Sequence, residues 1–307
     1  MKTLFSKNAQ RKLCTVLAGG AALMLASSYA SASISTTKHN LGSTNILATG
    51  TNSNTFSGTA EICVFCHTPH GADSSAAVPI WNRKLNATSI YGRYSGFNSA
   101  FAGTTTFDAK EAPVGSVSIA CLSCHDGTQA MNVVVNTPGS GTTTTMAGTW
   151  TGYNVANGAL GYMLSQGGTV TSGPGEFPRL GTDLSNDHPI SMQYGGGGIT
   201  SSGTAGGLSI SPTGTVDADF KQIGTGIGLV NDRTVGSGLR VWYIDTNGTA
   251  GQQKDDLTLY SRTEATVAGG NQPFVECATC HDPHSSNTTF LRISNAGSAL
   301  CLTCHLK

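Results

Sequence analysis

Four stretches of the 307-residue chain place two cysteines three positions apart and a histidine directly after the second. They are Cys63/Cys66/His67, Cys121/Cys124/His125, Cys277/Cys280/His281 and Cys301/Cys304/His305. A C-x-x-C pair alone fits a disulfide, and it fits chelation of zinc or of an iron–sulphur cluster. Neither chemistry asks for a histidine at the next position. Covalent attachment of a c-type haem does. The two thiols add to the two vinyl groups on one side of the porphyrin, and two intervening residues let both sulphurs reach. The adjacent histidine then comes under the iron as proximal ligand. The pattern predicts four covalently bound haem c groups, with the disulfide and zinc readings as alternatives.

Four histidines are left over: His39, His70, His188 and His284. Four irons would each keep one open axial position, so spare histidines and open positions match with none remaining. This predicts that all four are distal ligands, because histidine is the commonest metal ligand. His70 and His284 occur in CHTPH and CHDPH, three residues from His67 and His281. That is too near to cap the same iron from its opposite face. Their expected target is a neighbouring haem, with Pro69 and Pro283 stiffening the link. His188 lies in NDHPI, where Pro189 favours an extended approach. His39 lies in TKHN near the start of the mature chain, so it could reach an adjacent subunit unless it is tied down. Methionine is poorly placed as a ligand. Met131, Met146, Met163 and Met192 carry no motif and are expected to fill gaps.

An iron held by two protein ligands has no position for a substrate. No C-x-x-C-K variant occurs. The expected chemistry is outer-sphere electron transfer, and no catalytic residue is assigned. A multihaem reductase with an open iron is the more distant alternative.

The elements that must hold these groups are sparse in the sequence. Residues 1–32 read as a secretory signal peptide: Lys2, Lys7, Arg11 and Lys12 precede an apolar run from Leu13 to Ala26, and Ala30-Ser31-Ala32 supplies the cleavage site. The ninth cysteine, Cys14, falls inside it. Removing four of the 17 basic residues leaves 13 against 17 acidic ones, so the mature chain is mildly acidic. With no basic stripe, a nucleic-acid partner is not expected. Aromatic residues are 7% of the chain, charged residues 11%, and there are 40 glycines. So few large apolar side chains struggle to offset the entropy of ordering. The expected fold is therefore mostly irregular coil, with short helices at the haem motifs, a few short β-strands and a core built from haems. Residues 33–126 hold the first two motifs and 277–307 the last two. Between them, 127–276 is rich in Gly, Ser and Thr. There, Leu239–Ile244 and Leu257–Arg262 read as strands of a hairpin-like unit, beside turn signals at 195–198 and 247–248. A short helix is expected over Ser298–Leu302. Trp81 and Tyr91 are expected to pack on porphyrin edges or, equally, on each other.

The segment CHDPHSSNTTFLRISNAGSALCLTCH resembles the doubled C-x-x-C-H motif of multihaem cytochromes c, and CVFCHTPHGAD with ACLSCHDGT looks like a second, expanded copy. The spacing of the motifs, the early KHN and later HPI histidines and the Gly/Thr-rich centre are similar to the extracellular tetrahaem nanowire cytochromes of metal-reducing bacteria. The resemblance covers the haem motifs and their order; over the centre it extends only to composition. It implies bis-histidine haems, secretion to the cell surface and head-to-tail polymerisation into a filament that conducts electrons. It also implies that a ligand can cross the subunit boundary, a role suited to His39. The implied partners are other copies of the chain, periplasmic or outer-membrane electron-transfer proteins, and external acceptors such as metal oxides. A monomeric periplasmic electron shuttle is the alternative.

Overall fold

The computed structural model describes residues 33–45, 54–85, 91–94, 111–139, 143–152, 179–185, 187–197, 218–235, 239–262 and 272–306. The expected signal peptide, Cys14 and Met163 lie outside them. Ile34–Lys307 forms one compact unit. No helix among the described residues is long and apolar enough to cross a membrane.

Seven strands are described: β1 (Asn54–Phe56), β2 (Trp150–Gly152), β3 (Met192–Gln193), β4 (Val230–Val235), β5 (Leu239–Ile244), β6 (Leu257–Arg262) and β7 (Gln272–Val275). Among the described residues the α-helices are α1 (Ser118–His125), α2 (Cys277–Cys280) and α3 (Ala299–Cys304). Each carries a cysteine pair. The first pair sits instead on a 3-10 turn, Cys63–Phe65. The expected helix before the last histidine is present, beginning one residue later and ending two residues later than expected.

The two expected strands occur with the expected bounds, as neighbours in a five-stranded antiparallel sheet ordered β3-β7-β6-β5-β4. Across the pair, Trp242 faces Leu259 and Ile244 faces Leu257. These four side chains, with Tyr194 and Val230, form a buried apolar cluster. Pro273 is tolerated within β7 because β3 pairs only with Phe274 and Val275, leaving the proline beyond its reach. A second cluster joins Phe56, Val64, Phe65, Met131, Val134, Met146 and Trp150, beneath the paired β1 and β2. Met131, Met146 and Met192 are all buried, the gap-filling role expected of them. The side-chain interior is thus more developed than the composition suggests. Both clusters also border motif cysteines: Cys66 and Cys124 pack against one, Cys304 against the other.

Two buried arginines organise the chain around these clusters. Arg83 donates to the carbonyls of Ser123, Met131 and Ala130 at 2.8–3.1 Å and to Ser123 Oγ at 3.2 Å. It ties the loop after the first motif to the helix of the second. Arg262, at the end of β6, pairs with Glu276 at 2.6 Å, with side chains 5% and 0% exposed. Glu276 also accepts from Ser118 Oγ at 2.5 Å and Ser191 Oγ at 3.2 Å. Ser118 Oγ accepts in turn from the Cys277 amide at 2.9 Å. The second and third motifs are therefore joined through one buried polar node.

Candidate haem-binding sites

In all four motifs the two cysteines fall within a single helical turn or its 3-10 equivalent, which puts positions three apart on one face. Three of the turns are closed the same way. His67 donates its amide to Cys63 O at 2.8 Å, His281 to Cys277 O at 3.1 Å, and His305 to Cys301 O at 2.9 Å. The helix then stops. His281 and His305 adopt extended backbone after α2 and α3. Isolated antiparallel bridges hold His67 against Trp81, His281 against Leu291 and His305 against Phe220. His125 differs, as the last residue of α1.

None of the eight described cysteines is in a disulfide. Burial, with the neighbouring Cys124 adding to it, pushes the Cys66 thiol up to about 12. Burial pushes Cys304 up to about 12 and Cys280 to about 11. Cys121 donates to the sulphur of Cys277, which raises the first thiol and lowers the second. Most of these environments disfavour thiolate; an uncharged thioether carries no such penalty. The same contacts order the motifs. Cys66 neighbours Cys124, Cys121 neighbours Cys277, and Cys280 and Cys304 lie beside Cys301. The four motifs thus follow one another in chain order.

Three of the four spare histidines lie near motif histidines. His284 stacks on His67 with ring centroids 6.2 Å apart and planes 13° from parallel. His39 stands against His125 at the same 6.2 Å, its plane turned by 72°. His188 lies near enough to His305 for their charges to repel. Two imidazoles binding one metal from opposite faces, each through a bond of about 2 Å, have centroids about 6 Å apart. The spacing of both ring pairs therefore fits two axial ligands with an iron between them. The Trp81 indole N–H gives a second sign of fit. It is buried, edge-on to the His67 ring at 6.1 Å, and has no hydrogen-bond partner among the described residues. Tyr91 does not pack on Trp81; its hydroxyl donates to Asp126 at 2.8 Å. Among the described residues no three of His, Cys, Asp and Glu converge as a bare-ion site.

His39 does not extend away from its chain. Its ring stacks on Phe290 at 4.1 Å, and its Nδ1 lies 3.3 Å from Pro283 O. Burial, with His125 adding to it, holds its pKa down to about 4. His70 is exposed. Its imidazole meets no other histidine ring among the described residues. Only its carbonyl is engaged, by Asn136 Nδ2 at 2.6 Å and Thr68 Oγ1 at 3.1 Å.

Residues beyond the motifs also shape these sites. Pro79 O accepts from His67 Nδ1 at 3.0 Å and Thr289 O from His281 Nδ1 at 2.8 Å. Ile80 has φ 49°, a left-handed conformation that β-branched residues rarely adopt. It follows the Pro79 carbonyl directly, so the strain falls where a ligand is oriented. Phe290, Asp282 and the Arg83 and Arg262 clamps were not singled out in the sequence. Of these, only Asp282, inside CHDPH, had a local signal, as a short polar side chain two residues before a histidine.

A family model of the doubled CXXCH motif matches residues 267–307, which contain the third and fourth motifs. The match is consistent with a multihaem c-type cytochrome. It points to covalently bound haem c and to a haem-binding electron carrier. No curated protein matches the chain.

Proposed function

We propose that this chain is a secreted tetrahaem electron carrier with histidine on both faces of each iron, which polymerises into an extracellular filament. The near-parallel His67–His284 pair, 6.2 Å between centroids, carries the reading. It joins a proximal histidine from one end of the chain to a spare histidine from the other, at the spacing of two axial ligands. When bound, a haem supplies a one-electron ferric/ferrous couple.

The chain's own part is to hold, order and shield. Cys63/Cys66, Cys121/Cys124, Cys277/Cys280 and Cys301/Cys304 are the attachment pairs. His67, His125, His281 and His305 are the proximal ligands. His284 is assigned opposite His67, His39 opposite His125 and His188 opposite His305. His70 remains for the iron of His281. Both residues are exposed, so His70, rather than His39, is the ligand that can be lent to or borrowed from an adjoining copy. The order of the attachment cysteines supports an electron path running from the first motif to the fourth.

Exposed apolar residues support end-to-end assembly. Ile80, 51% exposed, follows the carbonyl that orients His67, while Leu302 and Leu306, 43% and 51% exposed, flank the last motif. Head-to-tail contacts that do not close on themselves build filaments. Cryo-electron microscopy of the haem-loaded secreted protein tests the whole reading. Filaments with four bis-histidine haems per subunit are expected. Monomers confined to the periplasm would refute the filament, and a colourless protein of unmodified mass would refute the haems.

A further inference from the structure

The candidate ligands differ in what holds their second ring nitrogen. Nδ1 of His39 approaches Pro283 O at 3.3 Å, that of His67 approaches Pro79 O at 3.0 Å, that of His188 approaches Pro189 O at 3.2 Å and that of His281 approaches Thr289 O at 2.8 Å. All four acceptors are neutral main-chain carbonyls. His284 departs from this pattern. Its Nδ1 lies 3.3 Å from Oδ1 of Asp282, a carboxylate. The same oxygen accepts the His284 main-chain N–H at 2.9 Å. Ring, amide and carboxylate are thus fixed within one short turn, and the contact does not depend on distant packing.

We propose that Asp282 is a positioning residue that makes the His284 imidazole a stronger electron donor than the carbonyl-bonded histidines, so that the iron between His67 and His284 has a lower reduction potential than it would with a main-chain carbonyl in place of the Asp282 carboxylate. The proposal rests on the reading of His284 as an axial ligand. A ligating histidine gives its other N–H to an acceptor, and that acceptor fixes the tautomer and sets the ligand's basicity. A carboxylate draws the proton more strongly than a carbonyl and leaves more electron density on the metal-facing nitrogen. A more basic ligand favours the ferric state over the ferrous. Arg292 lies near Asp282 and moderates its charge, but its guanidinium is already donating to Ala278 O and Lys254 O, at 2.8 and 2.9 Å.

The consequence is a built-in inequality along the row of sites. The His284 turn belongs to the third motif yet biases the iron assigned to the first. An electron on the carrier would spend less time there than it would with a neutral acceptor in place of Asp282.

The test is a spectroelectrochemical titration of the fully haem-loaded protein, with the signals resolved by electron paramagnetic resonance. Asp282→Asn keeps an oxygen for the His284 amide while removing the charge, and Asp282→Glu keeps the charge at a different reach. In Asp282→Asn, one haem component is expected to have its ferrous-to-ferric ratio at fixed electrode potential raised about tenfold, which is about 59 mV for a one-electron couple. Asp282→Glu should fall between this and the unaltered protein. An unshifted Asp282→Asn titration would overturn the proposal. So would an equal shift of all four components, which would mark a general charge effect. His284→Ala separates this failure from that of the ligand assignment. If all four haems stay low-spin in that variant, the assignment of His284 is wrong. If one haem loses its ligand while Asp282→Asn shifts nothing, only the role of Asp282 is wrong.

Discussion

His67 and His284 stack nearly parallel, 13° apart, whereas His39 and His125 cross at 72° with the same 6.2 Å between centroids. One four-residue stretch accounts for much of this. His281 closes the third motif, Pro283 O takes the Nδ1 contact of His39, and His284 meets the histidine of the first motif. The second histidine in CHDPH therefore lies against a different motif from its own. The proline between them supplies a carbonyl as well as stiffness.

The two ring orientations should be visible spectroscopically. Parallel axial imidazoles split the iron d-orbitals more rhombically than crossed ones. We expect the oxidised, haem-loaded protein to show at least two classes of low-spin ferric signal by electron paramagnetic resonance, one rhombic and one with a single, widely displaced principal feature. A spectrum in which all haems share one rhombic signal would contradict the crossed arrangement of His39 and His125.

Replacing His284 by alanine should open one axial position per chain. The expected outcome is binding of one carbon monoxide per chain to the reduced variant, measured by difference absorption, against none in the unaltered protein. The His39→Ala variant should behave alike but alter the second site. If His39→Ala instead left assembly and every low-spin signal unchanged, His39 would not be an axial ligand in its own chain or in an adjoining copy.

The Arg262–Glu276 pair predicts a stability effect separable from haem loading. Burial is the largest influence on the Glu276 carboxyl and pushes its pKa up, against the hydrogen bonds from Ser118 and Arg262 and the charge of Arg262. Arg262→Met would leave that carboxylate buried without its cation, a loss of about 3–5 kcal/mol. The variant with both Arg262→Met and Glu276→Gln should recover most of it, because no charge is then orphaned. Thermal unfolding followed by circular dichroism would show the single variant melting well below the double. Equal melting would mean that the pair contributes little.

What could be read in the sequence follows from how local each signal is. The four cysteine pairs and their histidines are covalent-chemistry signals within five residues, and the structure puts each pair on a helical turn. β5 and β6 were legible because LRVWYI and LTLYSR are rich in β-branched and aromatic residues. β4 was not, since VNDRTV buries only its first two residues and reads as polar. β7 was not, because Pro273 argues against a strand unless its outer neighbour is short. The pairings His67–His284 and His39–His125 are tertiary facts, and motif spacing can say only which iron a histidine cannot cap. His39 looked like a terminal arm, but Phe290 and Pro283 tie it down. Arg83, Arg262 and Glu276 are buried in a chain with few charges, where a lone charged residue ordinarily reads as solvated.

Acid should remove the proposed ligands in a definite order. A pKa raised above its usual value means that a ring is protonated earlier as pH falls; a lowered one means later. The hydrogen bond to Asp282 raises that of His284. Burial, helped by the nearby His125, holds His39 down to about 4. Protonation competes with iron for the same ring nitrogen, so the site capped by His284 should turn high-spin first on acidification and the site capped by His39 at lower pH. A stopped-flow pH jump read in the Soret and charge-transfer bands would resolve the two steps. In Asp282→Asn the first step should move to lower pH and the second should not move. Loss of both ligands in one step, unchanged in Asp282→Asn, would show that acid opens the fold as a whole before it reaches either ring.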